Sequence, residues 1–132
     1  MASSVGFHEK EESLRPETRD RHRAWASVQE ELEAIDWYDQ RVDAAGDAEL
    51  KGLLAHNRDE EKEHAAMVIE WLRRRDPKWD EMLRQYLFTD LPILDIEAAA
   101  ERRGDAEEAT SPSGLGGSGD LEVRSLRGAS AL

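Results

Sequence analysis

The first half of the chain carries apolar residues at steps of three and four, which is the spacing of one face of a helix. The members of this first stripe are Trp25, Val28, Leu32, Ile35 and Val42, with Asp39 at its one polar step. Pro16 followed by Glu17 is typical of a helix start, and Gly46 is typical of a helix end. The pattern therefore predicts one long amphipathic helix between Pro16 and Gly46.

A second stripe with the same spacing follows Gly46. Its members are Leu50, Leu54, Val68 and Leu72, with Met67 and Trp71 on its flank. Asp47 is a good N-cap for this segment, and the basic run at residues 73–75 suits the negative end of a helix dipole. The chain is therefore expected to form a second long helix, joined to the first by a tight turn.

The second stripe is interrupted by polar residues at the same helical positions, namely Asn57, Glu61 and His64. An ionised carboxylate left unpaired on a core-facing stripe costs on the order of several kcal/mol. A Glu-x-x-His sequence on a helix places both side chains on one face, one turn apart. Oxygen and imidazole ligands without a thiolate suit iron or manganese, and zinc can also bind them. A metal ion is the most economical candidate for compensating this charge.

Glu31 is the expected partner of this pair. It precedes Gly46 by fifteen residues and Glu61 follows Gly46 by fifteen, so both lie about 22 Å from the turn of an antiparallel hairpin. Four-helix di-iron sites take one Glu from each of two helices and a Glu-x-x-His from each of the other two. One hairpin offers half of that set, and a second copy related by a two-fold axis would complete it. The alternative is a coiled dimer in which Glu61 and His64 pair with Arg or with each other.

The remaining segments are shorter. Asp76-Pro77 predicts a break and then a short third helix, and residues 93–103, after Leu91-Pro92, can form a last one. The predicted fold is all-α: a two-helix hairpin, half of a four-helix bundle, with short C-terminal helices and completion by dimerisation. The expected organisation is a flexible segment over 1–13, a helical domain over 14–103, a flexible Gly/Ser-rich linker over 104–119 and a docking tail over 120–132.

Composition and charge narrow the function classes. The 132 residues include no cysteine, which excludes disulfides, thiolate metal sites and a thiol nucleophile. A formal charge of −12 argues against non-specific nucleic-acid binding. The apolar runs are too short for a membrane span and no signal-peptide pattern opens the chain, so a cytoplasmic protein is expected.

Two stretches carry a resemblance to a known family. Residues 30–41 read EELEAIDWYDQR and residues 56–67 read HNRDEEKEHAAM. With residues 14–100 around them, they closely resemble the encapsulated ferritins, half-length ferritin-like proteins loaded into encapsulin shells. The resemblance implies a ferroxidase that oxidises Fe(II) with dioxygen at a di-iron centre between two subunits. It implies Glu31, Glu61 and His64 as iron ligands, with calcium, manganese or zinc able to occupy the site in vitro.

The resemblance also suggests roles for neighbouring residues. Glu30 and Glu33 match acidic positions that hold metal where it enters the centre, with Trp37 beside them, although a solvated helix face is the alternative. Tyr38 is a candidate hydrogen-bond donor to the ligands, and a buried interface tyrosine is the alternative. The three other histidines match no ligand position: His8, His22 and His56.

The assembly and address follow from the same resemblance. It implies a ring of dimers, typically a decamer, that relies on an encapsulin shell to store the iron mineral. Residues 121–128 resemble cargo-loading peptides, with Leu121, Val123 and Leu126 as the apolar anchors, and residues 129–132 have no assigned role. The alternatives are a di-metal peroxidase of the rubrerythrin kind and a non-catalytic helical adaptor.

Overall fold

The structure, a computed structural model, describes residues 6–110. It contains a short 3-10 helix at Glu11–Ser13, followed by four α-helices. These are α1 (Pro16–Ala44), α2 (Ala48–Arg73), α3 (Pro77–Tyr86) and α4 (Ile93–Thr110). The described residues include no strand, which confirms the all-α prediction. None of their helices is long and apolar enough to cross a membrane.

The helix boundaries follow the predicted capping residues. Pro16 is the first residue of α1, where its missing N–H costs nothing. The Asp47 carboxylate accepts a hydrogen bond from the Leu50 amide at 2.8 Å and so caps α2. The Asp76 carboxylate accepts from the amides of Lys78 and Trp79 at 3.0 and 3.1 Å at the start of α3. Local signals therefore place three of the four helix starts.

The helices α1 and α2 form an antiparallel hairpin with a thin core. Val28 of α1 and Ala65 and Leu72 of α2 are buried. Leu32 and Leu50 were predicted in the buried stripes, but about half of each residue is exposed. Each helix has only one long neighbour within the hairpin, so that neighbour covers a narrow strip and the edges of the apolar stripe stay open.

The structure also differs from two predicted boundaries. Residues 6–13, expected to be flexible, lie against α1: the Arg19 guanidinium donates to the Glu11 carbonyl at 2.7 Å, and the Phe7 and His22 rings are 4.8 Å apart. The linker expected from residue 104 begins later, because α4 continues to Thr110. One glycine in a helix costs about 1 kcal/mol, and the Ala-, Glu- and Arg-rich residues around Gly104 favour the helix. The rest of the predicted linker and the predicted tail lie outside the described residues.

The short helix α3 is fixed to the hairpin by one aromatic contact and one ionic contact. Trp79 meets Trp25 of α1 edge to face, with ring centroids 5.6 Å apart. Arg73, at the end of α2, donates to both oxygens of Glu70 at 2.6 Å and also to Asp80 of α3. The guanidinium groups of Arg73 and Arg74 lower the pKa of Glu70 to about 2. Arg73, and then Arg84, lowers the pKa of Asp80.

These ion pairs give a pH-dependent prediction. We expect Arg73→Met to lower the melting temperature by a few degrees near neutral pH, because it removes the link from α2 to α3. A carboxylate whose pKa is depressed on folding stabilises the fold above its unfolded pKa and loses that effect as the pH falls through its folded pKa. The difference between the variant and the wild type should therefore shrink between pH 4.5 and about 2. Thermal unfolding followed by circular dichroism measures it.

Arg74→Met is the matched control for this prediction. Arg74 donates to Glu70 at 3.0 Å. Its replacement therefore removes one positive charge beside Glu70 but leaves the contact between Arg73 and Asp80 of α3 intact. Exposed pairs contribute little, and we expect a smaller change than for Arg73→Met. Equal changes in the two variants would mean that the contact with Asp80 adds nothing to stability.

Candidate metal centre

Three side chains with metal-binding atoms converge where α1 and α2 face each other. Glu31 comes from α1, and Glu61 and His64 come from α2, one helical turn apart. One ligand atom from each residue lies within 4.8 Å of the other two. The structure thus brings together the three residues that the sequence singled out, and their role as ligands remains a prediction.

The cluster is tight and partly open to solvent. The His64 Nδ1 atom lies 3.3 Å from Glu61 Oε2 and 3.8 Å from Glu31 Oε2. The His64 side chain is 45% exposed, whereas those of Glu31 and Glu61 are 25% and 23% exposed. A cation could therefore reach these three side chains from solvent.

The pKa values of the two carboxyl groups shift in opposite directions. The pKa of Glu31 is raised, first because its protonated carboxyl hydrogen-bonds to Glu61, and then because of burial and repulsion by the Glu61 charge. The pKa of Glu61 is lowered, first because it accepts the hydrogen bond of Glu31, with a further contribution from His64. Two carboxylates this close cannot both ionise freely. A cation bound between them would offset this repulsion.

The donor set fits a transition metal ion. Two carboxylate oxygens and one imidazole nitrogen are ligands that iron, manganese and zinc accept. Three protein ligands leave coordination positions open on such an ion, because even zinc takes about four ligands.

The two acidic residues predicted at the point of metal entrance lie outside this cluster. Glu30 and Glu33 are exposed on α1. Among residues 6–110, the group of Glu31, Glu61 and His64 is the only one whose three or more side chains could hold a metal ion together. Successive helix positions are rotated by about 100°, so side chains next to Glu31 in sequence point elsewhere. Their proposed role stays a prediction.

Trp37 and Tyr38, the two aromatic residues predicted near the site, are neighbours on α1 and follow Glu31 by six and seven residues. Trp37 is about half exposed and borders a shallow surface depression with Gln40 and Arg41. Tyr38 is partly buried, and the Arg41 guanidinium lies 5.4 Å from its ring centre. The predicted hydrogen bond from Tyr38 to a ligand remains untested.

One ion pair near the centre escaped the sequence analysis. Arg58 Nη1 of α2 donates to Asp39 Oδ1 of α1 at 2.9 Å. Asp39 was noted only as a polar step in the first stripe. The two residues are seven and twelve positions from Gly46, so counting from the turn does not place them at one level. The length of the Arg side chain bridges that offset.

Comparison with known proteins places the hairpin in a family. A curated relative from Rhodospirillum rubrum, named encapsulated ferritin-like protein, is 58% identical over an alignment of 131 residues that covers 98% of this chain and 94% of the relative. A ferritin-like protein from Thermotoga maritima is 48% identical over 120 residues, 91% of this chain and 96% of that one. The encapsulin nanocompartment cargo protein EncC of Myxococcus xanthus is 40% identical over 52 residues, 39% of this chain and 40% of that protein.

The fold and a family sequence model agree with these relatives. The crystal structure of protein ne0167 from Nitrosomonas europaea superposes with a TM-score of 0.65 at 61% identity, covering 67% of this chain and 97% of that one. The sequence model of the EncFtn-like family matches residues 6–90, which include the hairpin and all three residues of the centre. The chain belongs to the EncFtn-like family.

Proposed function

We propose that this protein is a ferroxidase that oxidises Fe(II) with dioxygen at a di-iron centre shared by two copies of the chain. The observation that carries the proposal is the convergence of Glu31, Glu61 and His64 within 4.8 Å of one another. This is half of the carboxylate and Glu-x-x-His set of four-helix di-iron sites. Iron is the substrate here, and the protein binds it, neutralises its charge and limits access of water.

The proposed reaction is a balanced two-electron step. Two Fe(II) ions each give one electron to a single dioxygen molecule, which takes up two protons and leaves as hydrogen peroxide. The products are two Fe(III) ions. Glu31 and Glu61 favour this direction because anionic oxygen ligands stabilise the higher iron charge more than the lower one.

A second copy of the chain would complete both the site and the core. Two protomers related by a two-fold axis supply four carboxylates and two imidazoles. Leu53 and Met67 of α2 are each more than half exposed, and they lie on the helix face of His64, eleven residues before it and three after it. Burial of such side chains stabilises an interface by about 25 cal/mol for each Å² removed from water. The proposed dimer therefore places its metal centre inside an apolar contact.

The cellular context of the proposal comes from the relatives. One of them is named as encapsulated and another as an encapsulin nanocompartment cargo protein. We propose that this chain works in the cytoplasm, inside an encapsulin shell. The resemblance of residues 14–100 to the encapsulated ferritins further suggests that it forms a decameric ring of dimers. The proposed address is the tail over residues 120–132, with Leu121, Val123 and Leu126 as anchors.

Two other functions make different predictions. A di-metal peroxidase would use the same ligands but consume hydrogen peroxide faster than dioxygen. A helical adaptor would deliver a partner through the tail and need no metal. The close approach of Glu31 and Glu61 beside His64 favours a cation site over the adaptor, because two carboxylates this close repel each other unless a cation or a proton lies between them.

One titration tests the proposed function. Anaerobic Fe(II) is added to the purified protein, air-saturated buffer follows, and oxygen uptake is measured with an electrode. The proposal expects one dioxygen consumed for every two Fe(II), with saturation at two Fe(II) for every two chains. Oxidation at the rate of protein-free buffer would reject the ferroxidase. Faster oxidation with peroxide than with dioxygen would favour the peroxidase.

Assembly should depend on the same metal. Without a cation, the four carboxylates of a dimer repel one another, so the apo protein should populate smaller species. Native mass spectra recorded across an anaerobic Fe(II) titration should show dimers and larger rings growing at the expense of monomers. A distribution that stays constant over the whole titration would contradict a metal centre between subunits.

A further inference from the structure

Arg58 occupies a position from which it would be expected to pair with a metal ligand. It precedes Glu61 by three residues on α2, and oppositely charged side chains three apart on a helix are neighbours. The structure shows a different partner. The Arg58 guanidinium donates through Nη1 to Asp39 of α1 at 2.9 Å and through Nε to Asp59 at 3.1 Å.

The Arg58 side chain is more buried than that of its partner Asp39. It is 23% exposed, whereas the Asp39 side chain is 67% exposed. Asp59 is adjacent in sequence and contacts Nε, so Asp39 is the group that directs the far end of the guanidinium across to α1. The carboxylate of Glu61 instead faces His64 at 3.3 Å.

An arginine paired with Glu61 would oppose metal binding in two ways. It would occupy the oxygen atoms that a cation needs, and its charge would repel a divalent ion a few ångströms away. We propose that Asp39 is a positioning residue, which holds the Arg58 guanidinium away from Glu61 and leaves that carboxylate available for a metal ion. The inference rests on the proposed metal site and adds a residue that tunes its affinity.

The competing explanation is that the ion pair only ties α1 to α2. In that case both partners matter equally, and removal of either one weakens the site by loosening the hairpin. If Asp39 acts by diverting Arg58, the two residues are not equivalent. Loss of Asp39 then frees the Arg58 guanidinium to pair with Glu61 and to weaken metal binding. Loss of Arg58 removes the guanidinium itself and so cannot have this effect.

Binding of Mn(II), followed by the loss of the electron paramagnetic resonance signal of the free ion, separates these explanations. We expect Asp39→Ala to weaken Mn(II) binding by about fivefold to tenfold, because Glu61 then gains a competing partner and a nearby positive charge. Arg58→Gln should bind Mn(II) at least as tightly as the wild type. The double variant Asp39→Ala/Arg58→Gln should return to the wild-type affinity.

Asp36→Ala is the charge control. Asp36 is closer than Asp39 to Glu31 along α1, and it accepts a hydrogen bond from Gln40 at 3.1 Å rather than from a cation. Its loss removes one negative charge and should change Mn(II) affinity less than Asp39→Ala does. Melting temperatures of all variants are measured alongside, and Asp39→Asn replaces Asp39→Ala if that variant unfolds.

The outcomes are distinct for the two proposals. Wild-type protein that binds no Mn(II) would overturn the metal site and this inference with it. Wild-type binding together with equal losses in Asp39→Ala, Arg58→Gln and the double variant would overturn only the role of Asp39. Recovery of affinity in the double variant supports that role. The double variant lacks the ion pair between α1 and α2 just as Asp39→Ala does, so a loss caused by the missing ion pair would persist in it.

Discussion

Replacing His64 by Ala is expected to lower the rate of Fe(II) oxidation by at least about a hundredfold, because even residues that only support metal ligands contribute about ten- to a hundredfold. Glu31→Ala and Glu61→Ala should have effects of the same size. In a centre shared by two copies, each substitution removes two ligands at once. The measurement is the initial rate of oxygen uptake after Fe(II) addition, at equal concentrations of protein.

His56→Ala is the matched control. His56 lies on the same helix, eight residues before His64, and its exposed imidazole has its Nε2 atom 3.0 Å from Glu60 Oε1. Its loss should leave the oxidation rate at the wild-type value. Native mass spectra of the three ligand variants distinguish lost chemistry from lost assembly. If the His64→Ala protein oxidised iron as fast as the wild type, the assignment of the Glu-x-x-His sequence to the metal centre would be wrong.

The hairpin and its cluster were predictable because their signals are local. A three-and-four spacing defines a helix face wherever it occurs, and Pro16, Asp47 and Asp76 mark helix starts through their own backbone chemistry. Glu31 was identified by counting from the turn at Gly46, since the rise per residue is fixed in both helices. The structure brings Glu31 close to Glu61 and His64, as expected if Glu31 and Glu61 lie at one level of the hairpin.

The features that escaped prediction depend on the neighbours of each element. Leu32 belongs to the apolar stripe of α1, yet the single long partner within the hairpin leaves it exposed. The pairing of Arg58 with Asp39 depends on the reach of a long side chain between helices, for which the sequence carries no spacing rule. Gly104 suggested a boundary by residue type, but the helix-forming residues on both sides outweigh one glycine.

The half-open state of the centre and the exposed apolar edge have a common explanation. His64 is 45% exposed, and Met67, one turn further along α2, is more than half exposed. Exposed apolar side chains that form a patch are typical of a surface that contacts a protein partner. Both features are accounted for if the surface of α2 that carries them faces another copy.

Deletion of residues 120–132 is expected to abolish co-purification with a co-expressed encapsulin shell while leaving the ferroxidase rate unchanged. The tail lies outside the described residues, and the argument for it comes from sequence. The alignment with the encapsulated ferritin-like protein of Rhodospirillum rubrum spans 98% of this chain, so it extends into the tail. Leu121, Val123 and Leu126 are spaced too irregularly for one helix face and suit an extended peptide in a groove.

The energetics explain why a short tail would suffice. Burial of three such side chains contributes about 1.5–3 kcal/mol each, before the cost of ordering the peptide. One copy should therefore bind weakly, whereas an assembly that presents many tails binds firmly through effective concentration. Replacing the three apolar anchors by Ala should abolish loading as the deletion does. Replacing Arg124 and Arg127 by Gln is the control, because it keeps the three anchors and should leave loading in place. Full loading of the truncated chain would instead assign the address to the folded domain.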